Sequence, residues 1–341
     1  MPLVLLGPRI PHDRPQFLGG TVVLFENLVS ECEARDVDLV VLDTNKKNYT
    51  GKARFVAHIA RRVLRLAGPD TTFCVCSSQD WRVFLPIIQS ICAVRGGRVF
   101  LRMFGGDFQI RQQARNPIAQ RVVRRLMSRC EAVFVETPPL VDYVSDLLDT
   151  PVHITVNTRR QTHPPSERSW NKRVVYVGHV WDAKGIPDLI AAKKRLPDDW
   201  HFAVYGPILA EHMSPETFTE AGMHYGGILD PDDVQPTMDQ YDVFAFPTWA
   251  PGEGYPGVII EAMAQGLPII SSQWREVPDC VRHEVNGLLF PMRDVDAFVA
   301  AFERIDDPEL YAQLSAGSLE LFERFTPDAA ITSFLDVLGV G

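Results

Sequence analysis

Short apolar runs alternate with helix-length amphipathic stretches along the whole chain of 341 residues. The runs are bounded by Gly, Pro, Asp or Asn and are too short for helices, so they read as buried strands. In the first half they predict strands at Leu3–Leu6, Val37–Leu42, Thr72–Cys76, Val99–Met103, Ala132–Glu136 and Val152–Val156. Between them, helical spacing of apolar residues predicts helices over Val22–Ala34, Lys52–Ala67, Val83–Val94, Pro117–Ser128 and Pro138–Leu148. In the second half the strands are Arg173–Val177, His201–Tyr205, Met223–Tyr225, Val243–Phe246, Pro268–Ser271 and Gly287–Phe290. Such alternation is the pattern of α/β layers over parallel sheets. Thr158–Asn171 (TRRQTHPPSERSWN) is polar and rich in Pro and Ser, and reads as a linker between two units of similar size. The expected domains are residues 1–160 and 161–325, with a last helix in 326–341. Thr326 offers that helix an N-cap and Pro327 its first position.

Length and composition fit this division. A chain of 341 residues exceeds one ordinary core. No apolar run reaches the roughly 18 residues of a membrane-spanning helix, and MPLVLLGPRIPHD lacks the basic start of a signal peptide. Cys32, Cys74, Cys76, Cys92, Cys130 and Cys280 match neither zinc-ligand nor disulfide spacing, so reduced thiols and a cytoplasmic location are expected. Cys74 and Cys76 fall on one face of a strand, where small core residues are usual.

Charge changes the picture. The net charge of −9 divides into +7 for residues 1–165 (22 Lys+Arg, 15 Asp+Glu) and −16 for residues 166–341 (12 and 28). A basic first half calls for an anionic partner, either a membrane surface or a phosphorylated acceptor. No nucleic-acid motif accompanies the charge, so nucleic acid is not expected. In Arg54–Leu66, Phe55, Ile59, Val63 and Leu66 share a face, while Arg54, Arg61, Arg62 and Arg65 lie largely off it. Pro117–Cys130 adds Arg121, Arg124, Arg125 and Arg129. Such helices can rest on anionic headgroups at the inner face of a membrane, or can be solvated faces of helices packed on the sheet.

The densest chemistry lies in Phe246–Gly266, FPTWAPGEGYPGVIIEAMAQG. Glu253 and Glu261 stand eight positions apart, separated by a Gly254-Tyr255-Pro256-Gly257 turn and the start of an apolar helix. Pro256 suits the first helical position, and Gly266 stops the helix from C′. A helix opening from a Gly-rich loop offers free N–H groups and a positive dipole end to a diphosphate. Two carboxylates beside that point can accept hydrogen bonds from sugar and ribose hydroxyls. A buried helix after a Pro-rich loop is the plainer alternative, and it requires neither glutamate. Gly19-Gly20, after the first strand and before a helix, permit close approach of backbone to phosphate. Arg102 and Asp107 end or follow a buried strand, where parallel sheets bind ligands. Asp107 either orients a sugar hydroxyl or caps the next helix. The triplets Asp36-Val37-Asp38 and Asp294-Val295-Asp296 sit at no convincing strand end, so no metal site is expected.

The Glu-Gly-aromatic-Pro loop, the seven residues between the glutamates and the following Glu-Ala-Met-Ala-x-Gly-Leu-Pro resemble glycosyltransferase family 4, the retaining enzymes of GT-B fold. The likeness continues through Pro268-Ile269-Ile270, Glu276-Val277-Pro278 and Asn286-Gly287-Leu288-Leu289. It implies two Rossmann-like parallel-sheet domains facing an interdomain cleft, with a C-terminal helix that can cross back to the first domain. It further implies transfer of a sugar from a UDP- or GDP-type donor to a hydroxyl of a glycan or lipid-linked acceptor. Retention of configuration, no metal and no separate cofactor go with that reading, as does surface polysaccharide or glycolipid biosynthesis. Val177–Gly185 resembles the family's Gly-Arg-x4-Lys-Gly segment. Lys184 matches the lysine that neutralises the departing diphosphate, and His179 stands where arginine is usual. By the same likeness Glu253 would bind the donor sugar and Glu261 the ribose. Gly206 and the later Gly226-Gly227 resemble backbone positions that hold the base. Two other readings remain, a GT-B epimerase and a catalytically inactive nucleotide-binding or scaffold partner. A dehydrogenase is disfavoured, since no G-x-G-x-x-G follows either first strand.

Overall fold

The computed structural model of the protein describes residues 2–12, 20–167 and 169–340. The chain divides into two compact units, Met1–Thr158 with Pro327–Gly341 and Arg159–Thr326. In the first unit the strands are β1 Leu3–Gly7, β2 Leu39–Asp43, β3 Thr72–Ser77, β4 Arg98–Met103, β5 Val133–Val135 and β6 Val152–Ile154. Its helices are α1 Gly20–Glu33, α2 Lys52–Leu66, α3 Trp81–Arg95, α4 Phe108–Gln113, α5 Pro117–Met127 and α6 Pro138–Leu147. The second unit holds β7 Arg173–Val177, β8 His201–Tyr205, β9 His224–Tyr225, β10 Val243–Phe246, β11 Ile269–Ser272 and β12 Gly287–Phe290. Its helices are α7 Ile186–Lys193, α8 Pro215–Glu220, α9 Val234–Met238, α10 Gly257–Ala264, α11 Val277–Cys280, α12 Val295–Ile305 and α13 Pro308–Phe322. The chain closes with α14, Pro327–Leu338.

Each predicted strand forms, with ends displaced by no more than two residues. Both sheets are wholly parallel, in the orders β2-β1-β3-β4-β5-β6 and β12-β11-β10-β7-β8-β9. Parallel strands covered on both faces explain the near-continuous apolar runs. Strand alternation then sorts the first unit's core into two layers. Val4, Leu6, Val75 and Leu101 pack with α2, α3, α5 and α6. Leu3, Leu5, Cys74, Cys76 and Phe100 pack with α1 and α14.

The last helix thus completes the core of the first unit. Phe334 meets Phe134 edge-on, with ring centroids 4.8 Å apart, and the Leu338 carbonyl accepts from Arg98 Nη1 at 2.7 Å. A buried phenylalanine of this kind contributes about 3–5 kcal/mol relative to alanine.

The polar stretch Thr158–Asn171 differs from the expected linker. From Arg159 onward it belongs to the second unit. Gln235 Nε2 donates to the Arg160 carbonyl at 2.7 Å and Gln265 Nε2 to the His163 carbonyl at 2.8 Å. Asp239 and Asp242 accept from the amides of Ser166 and Asn171 at 2.9 and 3.0 Å. Gln235 and Gln265 are themselves buried, so their amides require the partners this segment supplies. Composition alone makes such a strap look like a linker.

Candidate functional site

The second sheet, read from its far edge as β9-β8-β7-β10-β11-β12, has the doubly wound order with its reversal between β7 and β10. Val243 and Phe244 of β10 lie beside Val174 and Val175 of β7. The loops leaving the carboxyl ends of these two strands carry Gly178–Gly185 and Pro247–Pro256. Crossover topology therefore joins Lys184 to Glu253, which are 69 positions apart. Lys184 Nζ donates to Glu253 Oε1. Thr248 Oγ1 donates to the same oxygen at 3.1 Å, and Nζ lies 5.3 Å from the Phe246 ring centroid. Glu253 is 7% exposed, and these two donors satisfy Oε1 in place of water.

His179 stands half-buried near this pair. Burial pushes its pKa down and Lys184 pushes the same way, against the pull of Glu253. The imidazole is therefore neutral at pH 7 and offers one N–H donor rather than a charge. Its own carbonyl accepts from the buried Tyr176 hydroxyl at 2.7 Å.

Two glycines let these loops meet backbone to backbone. Gly185 has φ +73°, and a Cβ there would lie 2.0 Å from the Pro247 carbonyl oxygen. Gly206 has φ +131°, and a Cβ there would lie 1.9 Å from the Gly178 carbonyl oxygen. This packing accounts for glycine at 206 without reference to a base.

The helix after Glu253 begins one residue later than expected: Pro256 is its N-cap and Gly257 its first residue. The fixed φ of proline is still tolerated there, because the cap sits outside the helical hydrogen-bond ladder. Gly266 ends the chain's helical path with φ +65°. Gly254 and Tyr255 are buried in the turn, with the Tyr255 ring centroid 5.9 Å from that of Phe325. Arg159 also occupies this turn. A Cβ on Gly257 would fall 1.8 Å from Arg159 Nη2, so the guanidinium lies against the first-turn backbone. Arg159 Nε donates to Glu261 Oε1 at 2.8 Å. A cation at a helix N-terminus opposes the dipole, and the Glu261 carboxylate offsets it. The first turn is therefore lined by a guanidinium as well as by N–H groups. Sequence reasoning missed Arg159 because it lies in the stretch that composition marks as a linker. It missed Thr248 because an isolated threonine carries no spacing signal.

The remaining candidates lie in the first unit. Asp107 holds the N-cap position of α4 but makes no capping bond with its side chain. It pairs instead with Arg111 in the same helix, because the i,i+4 spacing sets the two side chains on one face. Gly20 is the first residue of α1, and a Cβ there would meet nothing within 4 Å. Gly19 lies outside the described residues.

Residues 171–307, most of the second unit, match the family Glycosyl transferases group 1. The chain is similar to the amylovoran biosynthesis glycosyltransferase AmsK of Erwinia amylovora, at 36% identity over 148 residues, covering 40% of this chain and 36% of that one. It spans no more than 49% of the length of the first curated relatives it matches. Among solved structures it superposes on HepE of Anabaena in complex with UDP, with TM-score 0.77 and 14% identity, over 99% of this chain and 100% of that one. It also superposes on sucrose-phosphate synthase from Thermosynechococcus elongatus, with TM-score 0.76 and 17% identity, over 98% of both chains. The fold is GT-B.

Proposed function

We propose that this protein is a retaining glycosyltransferase of family 4 type, moving a sugar from a nucleotide diphosphate sugar to an acceptor hydroxyl. The observation that carries the reading is the Lys184–Glu253 pair at the strand-order reversal, inside the matched residues 171–307. In this reading a diphosphate competes with the carboxylates for Lys184 and Arg159. Glu253 is then released to accept from donor-sugar hydroxyls, and Glu261 from the ribose. Transition-state charge builds on the departing diphosphate, and preorganised donors aimed there lower the barrier most. Lys184 supplies a point charge, Arg159 a planar fork, and neutral His179 a single N–H. Charge neutralisation runs through side chains and backbone N–H groups, so the reading requires no divalent ion.

Uracil is the favoured base, since UDP is the nucleotide named in the HepE complex. Surface polysaccharide is the favoured product, in line with the amylovoran role of AmsK. The first unit is assigned the acceptor and, through its arginines, an anionic membrane surface. Ile118 and Val122 of α5 are 74% and 53% exposed beside Arg121, Arg124 and Arg125, which suits a helix lying on headgroups. The test is turnover of UDP-sugars with the product's anomeric proton followed by NMR. An α-configured product from an α-configured donor, undiminished by chelator, supports the proposal. Absence of turnover with every donor, despite nucleotide binding, favours the scaffold reading that His179 suggests.

A further inference from the structure

Three guanidiniums converge near the carboxyl edge of the first sheet. Arg82, the second residue of α3, donates through Nε and Nη2 to the carbonyl and side chain of Gln79 at 3.2 and 3.3 Å. Arg111 of α4 donates through Nη2 to the carbonyl of Ser78 at 3.4 Å. Both are thus tied to the loop that leaves β3. Arg115, four residues after Arg111, donates through Nη1 to Gln112 Oε1 at 3.1 Å. Gln112 is buried and donates in turn to the Gln120 carbonyl at 3.3 Å, so it holds Arg115 from a fixed point. Nη1 of Arg82 and Arg111 and Nη2 of Arg115 donate to no acceptor among the described residues. All three side chains are half-buried, and those nitrogens are open to solvent.

The three charges act on one another. Burial lowers the pKa of Arg111 and of Arg115, and Arg82 pushes both the same way. They stay charged, because a guanidinium does not lose its proton in a protein. Asp107 pairs with Arg111, but it acts on Arg115 more weakly than either neighbouring arginine does. Asp80, in the loop itself, is exposed and pairs with none of the three among the described residues. Glu136, buried just past β5, accepts from the Gly105 amide at 2.9 Å and forms no ion pair with them. Tyr143 stands within electrostatic reach of Arg115, and burial raises its pKa, so its hydroxyl remains a donor. Three cations less the Asp107 charge leave two, at the end of a parallel sheet where ligands bind. Resting on the reading that the first unit takes the acceptor, we propose that Arg82, Arg111 and Arg115 hold the diphosphate of a sugar acceptor linked through diphosphate to an alcohol. Such a diester carries two charges and four terminal oxygens, which suit several planar forks at once. A phosphodiester headgroup carries one charge and two free oxygens, and leaves the cluster half neutralised.

The test is calorimetric titration into the full chain as wild type, Lys184→Met, Arg111→Gln and Arg115→Gln. The probes are glucosyl octyl diphosphate, octyl glucoside, inorganic pyrophosphate and UDP. The expected result is that glucosyl octyl diphosphate binds wild type and Lys184→Met alike, and each arginine variant about tenfold more weakly or worse. Octyl glucoside should bind far more weakly than its diphosphate, and UDP should bind the arginine variants as it binds wild type. Unchanged diphosphate affinity in both arginine variants overturns the proposal, as does affinity lost in Lys184→Met instead. Equal affinity for octyl glucoside overturns it too, and equal affinity for pyrophosphate assigns the arginines to a free anion rather than to the acceptor. If Arg111→Gln fails to fold, Arg115→Gln, whose side chain has one tether, decides the matter. Failure of UDP to bind any of the four proteins would count against the donor site alone, since the arginine comparison does not use it.

Discussion

Replacing Glu253 with Gln removes one charge of the Lys184–Glu253 pair while keeping the side chain's shape. The carboxylate is 7% exposed and accepts from both Lys184 and Thr248. Breaking a buried ion pair from one side costs about 3–5 kcal/mol. Here Lys184 keeps 19% of its side chain exposed, and the glutamine oxygen still accepts a hydrogen bond. The expected loss is therefore at or below the bottom of that range, about 2–3 kcal/mol. For a unit of this size, that is a fall in Tm of roughly 4–12 °C. Urea unfolding gives the free energy and calorimetry the Tm. Removing both charges in Lys184→Met/Glu253→Leu should restore stability to within about 1 kcal/mol of wild type, since isosteric apolar pairs often replace buried ion pairs without loss. A Glu253→Gln protein within about 0.5 kcal/mol of wild type, the usual range of surface substitutions, would refute the pairing.

Three further outcomes follow from the geometry. His179 has its pKa lowered in the fold, so the unfolded chain takes up a proton first as pH falls below about 6.5. Stability should decline there, and His179→Asn should remove that part of the slope; an unchanged slope would mean the imidazole is not buried beside Lys184. Gly206→Ala forces a Cβ to 1.9 Å from the Gly178 carbonyl at φ +131°, and should destabilise by about 3 kcal/mol or more, read by urea unfolding; a neutral result would contradict the close approach of the two loops. Flotation with anionic liposomes should show binding that weakens with salt and with loss of Arg61, Arg62 and Arg65, whereas no binding at low salt ends the membrane assignment.

The strands were legible because short apolar runs bounded by turn residues leave few alternatives, and Leu3–Leu6 and Val243–Phe246 show this plainly. Strand neighbours were not, since parallel pairs are joined through crossovers. Nothing local in Val174 or Val243 announces that they lie side by side, yet that pairing is what brings Lys184 to Glu253. The turn around Glu253 and Gly266 was legible from its glycines, whereas Arg159 was hidden by its polar surroundings. A strap held by buried Gln235 and Gln265 has the composition of a free linker, and only the partners distinguish the two. Asp107 shows a related limit. Its position before a helix suggests a cap, but Arg111 one turn on competes for the carboxylate and wins.

The most direct test of the account is a calorimetric titration of UDP and UDP-sugars into wild type, Lys184→Met and Glu261→Ala. The account predicts nucleotide binding to wild type that weakens at least tenfold in each variant, with UDP preferred over GDP and ADP. No binding of any nucleotide at millimolar concentration, or equal binding in all three proteins, would contradict it.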